Sequence, residues 1–123
     1  MPRRTKEDPV REDRILFEIV VDAYNETERA LSWYYYLQDQ IKFPFFAICH
    51  SGNLPPKLEP LQRVKVVSLA PEDDCMSDIF ALVRVGKSNV RAPLSQLKPD
   101  CQDHDTCQAV ADWHYWKGRG YEY

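Results

Sequence analysis

Glycine is scarce in this chain, with four in 123 residues, and no glycine-rich phosphate loop can be assembled from them. The strings G-x-S-x-G and H-E-x-x-H are also missing, which removes the hydrolase nucleophile elbow and the zinc-protease helix. No run of about 18 apolar residues occurs, so no membrane partner is expected. The N-terminal MPRRTKEDPVREDR lacks an apolar core and, despite Arg3 and Arg4, fits neither a secretory nor a twin-arginine signal. The expected location is therefore cytoplasmic. Positive charge is short as well. The formal net charge is −3, and residues 15–123 hold 15 carboxylates against 11 Lys and Arg. From Ala70 to Asp112 the acids number eight and the bases four. A nucleic-acid binder carries a basic stripe, so no nucleic-acid partner is expected.

The cysteines are Cys49, Cys75, Cys101 and Cys107. Without a secretory signal the reduced state is the default. Paired C-x-x-C knuckles, the strong zinc signal, are absent. Cys101, His104 and Cys107 follow a C-x-x-H-x-x-C pattern, and His50 adjoins Cys49, so a Cys/His zinc site is one alternative. A nucleophilic Cys49–His50 pair is disfavoured, because adjacent residues on a strand point to opposite faces. No enzymatic constellation emerges.

What is present is one domain's worth of alternating signals. Residues 1–13 mix charge and proline and read as a disordered arm, 14–117 as a single domain, and 118–123 as a short tail. RILFEIVVDAY places Ile15, Leu16, Ile19, Val20 and Ala23 on one helical face, with a strand as the alternative. Asn25 and Glu28 form a capping box for a second helix running to about Ile41. Ala30, Trp33, Tyr34, Leu37 and Ile41 make its apolar stripe, and Tyr35 and Tyr36 cannot all share that face. Short strands follow in FFAICHS, RVKVVSLA, IFALVRVG and NVRAPLSQL, the last an edge strand because of Pro93. DHDTCQAVADWHYW is a C-terminal helix capped by Asp and ending before the glycines at 118 and 120. The expected class is α+β: a small SH3-like antiparallel β-barrel or meander packed with N-terminal helices and a C-terminal helix.

Two acidic features bear on function. Asp39 lies in the last turn of a helix, among unpaired carbonyls at the negative end of the macrodipole, where a carboxylate is locally unfavourable. A bound cation reverses that sign. Glu72, Asp73 and Asp74 are consecutive in a tight connection, where they repel one another unless solvated or neutralised. Calcium suits such a group, since it takes six to eight oxygens in flexible geometry; a solvated acidic turn is the plain alternative. An EF-hand is not available. The nearest fit begins at Asp103 and Asp105, but Cys107, Gln108 and His114 occupy the positions that need a ligand, a glycine and a bidentate glutamate. Calcium ligands must then come from separated segments.

The strings EIVVDAYNETERALSWYYYLQDQIKFPF, LAPEDDC, APLSQLKP and ADWHYW, spread from about Arg14 to Trp116, resemble the cyanobacterial calcium-binding protein family of CcbP type. The resemblance implies a small acidic cytosolic protein that binds Ca2+ without EF-hands, on a β-barrel core with packed helices, as a buffer or sensor. Carried onto this chain, it points to Asp22, Asp39, Glu72, Asp73 and Asp74, with Glu26 and Glu28 in the more variable NETE segment. Asn25, Thr27 and Gln38 stand where further family acids are expected, and fewer charges imply weaker binding. The expectation is that Asp39 and the 72–74 connection meet, with carbonyls and water completing the shell. A second class of function is a metal-free SH3-like protein-interaction module, using exposed tyrosines around Tyr35 with Phe45 or Phe46.

Overall fold

Asp8 and Pro9 supply both start signals of the first helix. Asp8 Oδ1 accepts from the Arg11 amide at 3.1 Å, and Pro9 sits at the first helical position, where its missing N–H leaves no bond unmade. The computed structural model describes residues 8–21, 23–50, 54–76, 78–100 and 103–118. Helix α1 (Pro9–Arg14) widens into a π-helical turn, Ile15–Ile19, closed by the Val20 amide donating to the Ile15 carbonyl at 3.0 Å. Helix is thus correct for this stretch. It starts earlier than expected, because residues 9–13, assigned to a disordered arm, are helical. The cause is a distant partner: Arg14 Nε and Nη2 donate to Asp112 at 3.1 and 2.6 Å, and Arg11 stands 3.4 Å from the same carboxylate. The remainder of the arm and the expected tail lie outside the described residues.

Helix α2 (Glu26–Gln40) begins as the capping box predicts, with Asn25 Oδ1 accepting from the Glu28 amide at 2.9 Å. The reciprocal bond is displaced by one residue, since Glu28 Oε2 accepts from the Tyr24 amide at 2.8 Å. The helix stops at Ile41, whose ψ of 128° is extended.

Five antiparallel strands follow: β1 (Phe45–Cys49), β2 (Arg63–Leu69), β3 (Phe80–Val85), β4 (Ser88–Pro93) and β5 (Leu97–Pro99), in the order β4-β3-β2-β1-β5. Alternation sets their inner faces, with Phe45, Ala47 and Cys49 buried on β1 and Val64 and Val66 on β2. Gly86, at φ 59°, turns the β3–β4 hairpin through a conformation that side chains disfavour. The meander is as expected, and β4 is an edge strand. The barrel is not. β4 and β5 are the two outer strands of an open sheet. β5 is three residues long and, among the described residues, pairs with β1 alone, at Ala47, Ile48 and Cys49, so it does not close against β4.

Helix α3 (His104–Gly118) is capped by Asp103, whose Oδ2 accepts from the Thr106 amide at 2.9 Å and its hydroxyl at 2.8 Å. Thr106 Oγ1 in turn accepts from the Lys42 amide at 2.9 Å, fastening the end of α2 to the start of α3. The two helices meet through tryptophans: Trp33 lies edge-on to Trp113 at 5.0 Å between centroids and 5.8 Å from Trp116. Their buried residues join those of the strands in one apolar cluster. Among the described residues no helix is long and apolar enough to cross a membrane.

Candidate functional site

The tyrosine block of α2 distributes its three hydroxyls over three elements. Tyr34 is buried and donates to the Ala70 carbonyl at 2.8 Å. Tyr35 is exposed and donates to Glu72 Oε2. Tyr36 donates to Asp112 Oδ2 at 3.1 Å. Consecutive helical residues diverge by about 100°. One turn of helix therefore pins both the chain entering the acidic connection and the buried carboxylate of α3.

The acidic connection is a 3-10 turn, Glu72–Cys75, entered by Pro71 and closed by the Asp74 amide donating to the Pro71 carbonyl at 2.9 Å. Its three acids meet different fates. Glu72 is half-buried and accepts from Tyr35. Asp73 is exposed, and Asp74 lies 3.6 Å from the Arg91 guanidinium. Beneath them Cys75 is buried and accepts the Phe80 amide at 3.4 Å, and burial pushes its thiol up.

Asp39 projects from the last turn of α2 into an open hollow of about 560 Å3 that it shares with Glu18, Tyr35 and Tyr36. Glu18, on the π turn, was not anticipated. It is adjacent to Asp39 only because Ile15 and Ile19 anchor that turn beside α2. Tyr35 belongs to both places: its ring lines the hollow and its hydroxyl holds Glu72. The Glu72 carboxylate raises the Tyr35 pKa above its ordinary value, first through that hydrogen bond.

Asp39 and the 72–74 turn are therefore linked through Tyr35 and not gathered into a ready shell. Among the described residues no group of three or more His, Cys, Asp or Glu side chains is placed to hold a metal ion. Glu26 is exposed in the first turn of α2, thirteen residues before Asp39, a separation of about 20 Å along a helix. It cannot join Asp39 around one ion. Asp22 lies outside the described residues.

The Cys/His alternative fares worse. Cys107 is disulfide-bonded, so the reduced default fails there and no thiolate is available for zinc. Cys49 and Cys75 are thiols outside any disulfide, buried on separate elements, with the Cys49 thiol pushed up by burial. Cys101 lies outside the described residues. The proposed tyrosine–phenylalanine docking surface also loses a member, since Phe45 is buried. Phe46 is exposed but lies under the Arg63 guanidinium at 4.1 Å.

The sequence reading missed the strongest polar centre, Asp112 with Arg14, Arg11 and Tyr36. Asp112 is fully buried. The Asp112 hydrogen bond pushes the Arg14 guanidinium further up, while burial and the Asp112 charge push Tyr36 up to about 12. The signal was available: in AVADWHYW a lone aspartate sits inside the apolar face formed by Ala109, Val110, Trp113 and Trp116. The centre is structural, since both cationic groups are already on the chain.

Comparison with known proteins agrees with this architecture. A family model for CcbP, described as calcium binding, matches residues 13–117. The crystal structure of Anabaena CcbP is similar over 98% of this chain and 99% of that one, at 38% identity and a TM-score of 0.85. A structure described as a calcium binding protein in the calcium-binding form is similar over 95% and 96% of the two chains, at 38% identity and a TM-score of 0.81. No curated protein matches the chain. With three α-helices and a five-stranded open sheet among the described residues, and a family match over nearly all of its length, the chain belongs to the CcbP family of calcium-binding proteins.

Proposed function

We propose that this chain binds calcium without an EF-hand, at the surface where the C-terminal end of α2 meets the Glu72–Cys75 turn. The observation that carries the proposal is an imbalance of charge. Asp74, Asp78, Asp100, Asp103 and Asp112 each have a Lys or Arg within ion-pair distance. Asp39, Glu18 and Asp73 have none among the described residues, and Glu72 is held by a neutral phenol. Hard carboxylate oxygens left without a cation suit Ca2+, and 38% identity to a protein solved in its calcium-binding form supports the same ligand here.

The ion takes six to eight oxygens, more than these side chains supply, so backbone carbonyls and water complete the shell. Asp39, Glu72 and Asp73 carry the charge, and Asp74 joins them by exchanging Arg91 for the ion. Glu26, in the first turn of α2, belongs to a separate and weaker site, to which Asp22 is assigned from the sequence. The segment that comes nearest to an EF-hand loop is occupied by helix α3, which supports a dispersed site. The function is that of a cytoplasmic calcium buffer or sensor contained in residues 14–117, with no catalytic role. Isothermal titration of chelator-treated protein tests it: saturable heat is expected, and no heat up to about millimolar calcium, the weak end of the usual range, overturns it.

A further inference from the structure

The inward pairing of Arg11 and Arg14 with Asp112 also determines what the N-terminal segment shows to solvent. Ile15 and Ile19 are buried, and four residues make nearly one turn of an i→i+5 helix, so position 17 stands on the opposite side. Phe17 is 70% exposed, Val21 53% and Leu16 43%, three large apolar side chains within six residues. Large exposed apolar side chains concentrated in one short segment of a small acidic protein mark a contact surface. Its rim is acidic. Asp13 and Glu18 are exposed on the same segment, neither stands within ion-pair distance of a Lys or Arg among the described residues, and Glu18 shares its hollow with Asp39. The basic residues of this segment have been turned toward Asp112, so the outer face is apolar and negative.

That combination selects an occupant. A second copy would set Asp13, Glu18 and Asp39 against like charge, which is costly at an interface. An anionic lipid surface would meet the same repulsion. A basic amphipathic helix satisfies both features, since its apolar stripe covers Phe17 and Val21 while its flanking Lys or Arg face the acids.

We infer that the Leu16–Phe17–Val21 face docks a basic amphipathic helix of a partner protein, with Asp13, Glu18 and Asp39 as its acidic rim. The surface does not depend on calcium binding, but Asp39 is common to both, so calcium held there competes with the partner's cations.

The test is fluorescence anisotropy of a labelled helical peptide of Leu and Lys, Leu at i, i+3, i+4 and i+7, titrated with the full chain in chelator. A Leu/Glu peptide of the same pattern is the control. Saturable binding of the Leu/Lys peptide alone is expected. Phe17→Ser and Glu18→Lys should each weaken it about tenfold, with circular dichroism unchanged. Absence of binding, or equal binding by both variants, overturns the inference. So does a dimer in light scattering that Phe17→Ser abolishes, which makes a second copy the occupant. Binding that emerges only when residues 1–7 are removed overturns it as well, in favour of the chain's own N-terminal segment. A chain that takes up no calcium yet binds the peptide through Phe17 retains this surface and loses the calcium site.

Discussion

Tyr35 donates its hydroxyl hydrogen to Glu72, joining the helix whose last turn carries Asp39 to the acidic turn. The phenol supplies a neutral hydrogen where a calcium site would supply a cation. Glu72 holds the Tyr35 pKa above its ordinary value. Replacing Glu72 by Gln should bring one tyrosine back toward that value in an absorbance pH titration. Saturating calcium should act in the same direction by neutralising the same carboxylate. Identical tyrosine titration curves for wild type and Glu72→Gln would contradict the bond.

Asp112→Asn removes the charge that both arginines and Tyr36 face. Breaking a buried pair costs about 3–5 kcal/mol, and the lower end applies because Arg14 keeps 21% of its surface in water. That is a large share of the roughly 5–15 kcal/mol available to a small domain. The urea midpoint should fall accordingly, and amide exchange should accelerate in Pro9–Arg14 before the sheet. An unchanged midpoint would mean that α1 is held by something else.

Tyr36 sets the alkaline limit. Its folded pKa is pushed up to about 12 by burial, then by Asp112. Between the ordinary tyrosine value, about 10, and 12 the unfolded chain loses this proton while the folded chain keeps it, so stability falls as pH rises across that window. Tyr36→Phe should flatten the alkaline limb of a denaturation series. At the acid end Asp103 has the opposite sign. Its carboxylate is lowered to about 2 by the Thr106 amide and hydroxyl and by Lys42. The stability it gives is present above the ordinary aspartate value and is lost as pH falls toward 2. Asp103→Asn should shrink that acid loss.

Asp39 and Glu26 separate the two ends of α2. Asp39→Asn should weaken calcium binding several-fold with no change in the urea midpoint, because the side chain is exposed and, among the described residues, is partnered only by Gln40 at 3.4 Å. Glu26→Gln should leave the first calcium affinity as it is. Equal losses from both would place the ion at neither position alone.

Local chemistry made much of this fold legible. Asn25 and Glu28 marked the start of α2, Pro93 marked an edge strand, and alternation around Lys65 marked β2. Each signal acts within a few residues of itself. What stayed hidden depends on distant partners. Asp8 and Pro9 signal the start of helix α1, but the partner that holds its charged residues in place, Asp112, lies 98 positions from Arg14. Barrel closure was expected from strand spacing, but spacing says nothing about how far the three-residue β5 can reach. Asp39 and the 72–74 acids were legible as misplaced charge. Tyr35 was not, since nothing in a Tyr-Tyr-Tyr run says which hydroxyl meets a carboxylate.

The central claim is that calcium sits between the end of α2 and the acidic turn. A crystal structure grown with calcium tests it most directly. It should show an ion about 2.3–2.6 Å from carboxylate oxygens of Asp39 or of Glu72–Asp74, with carbonyls and waters filling the shell. An ion bound elsewhere, with Asp39 and the 72–74 acids free in solvent, would contradict it.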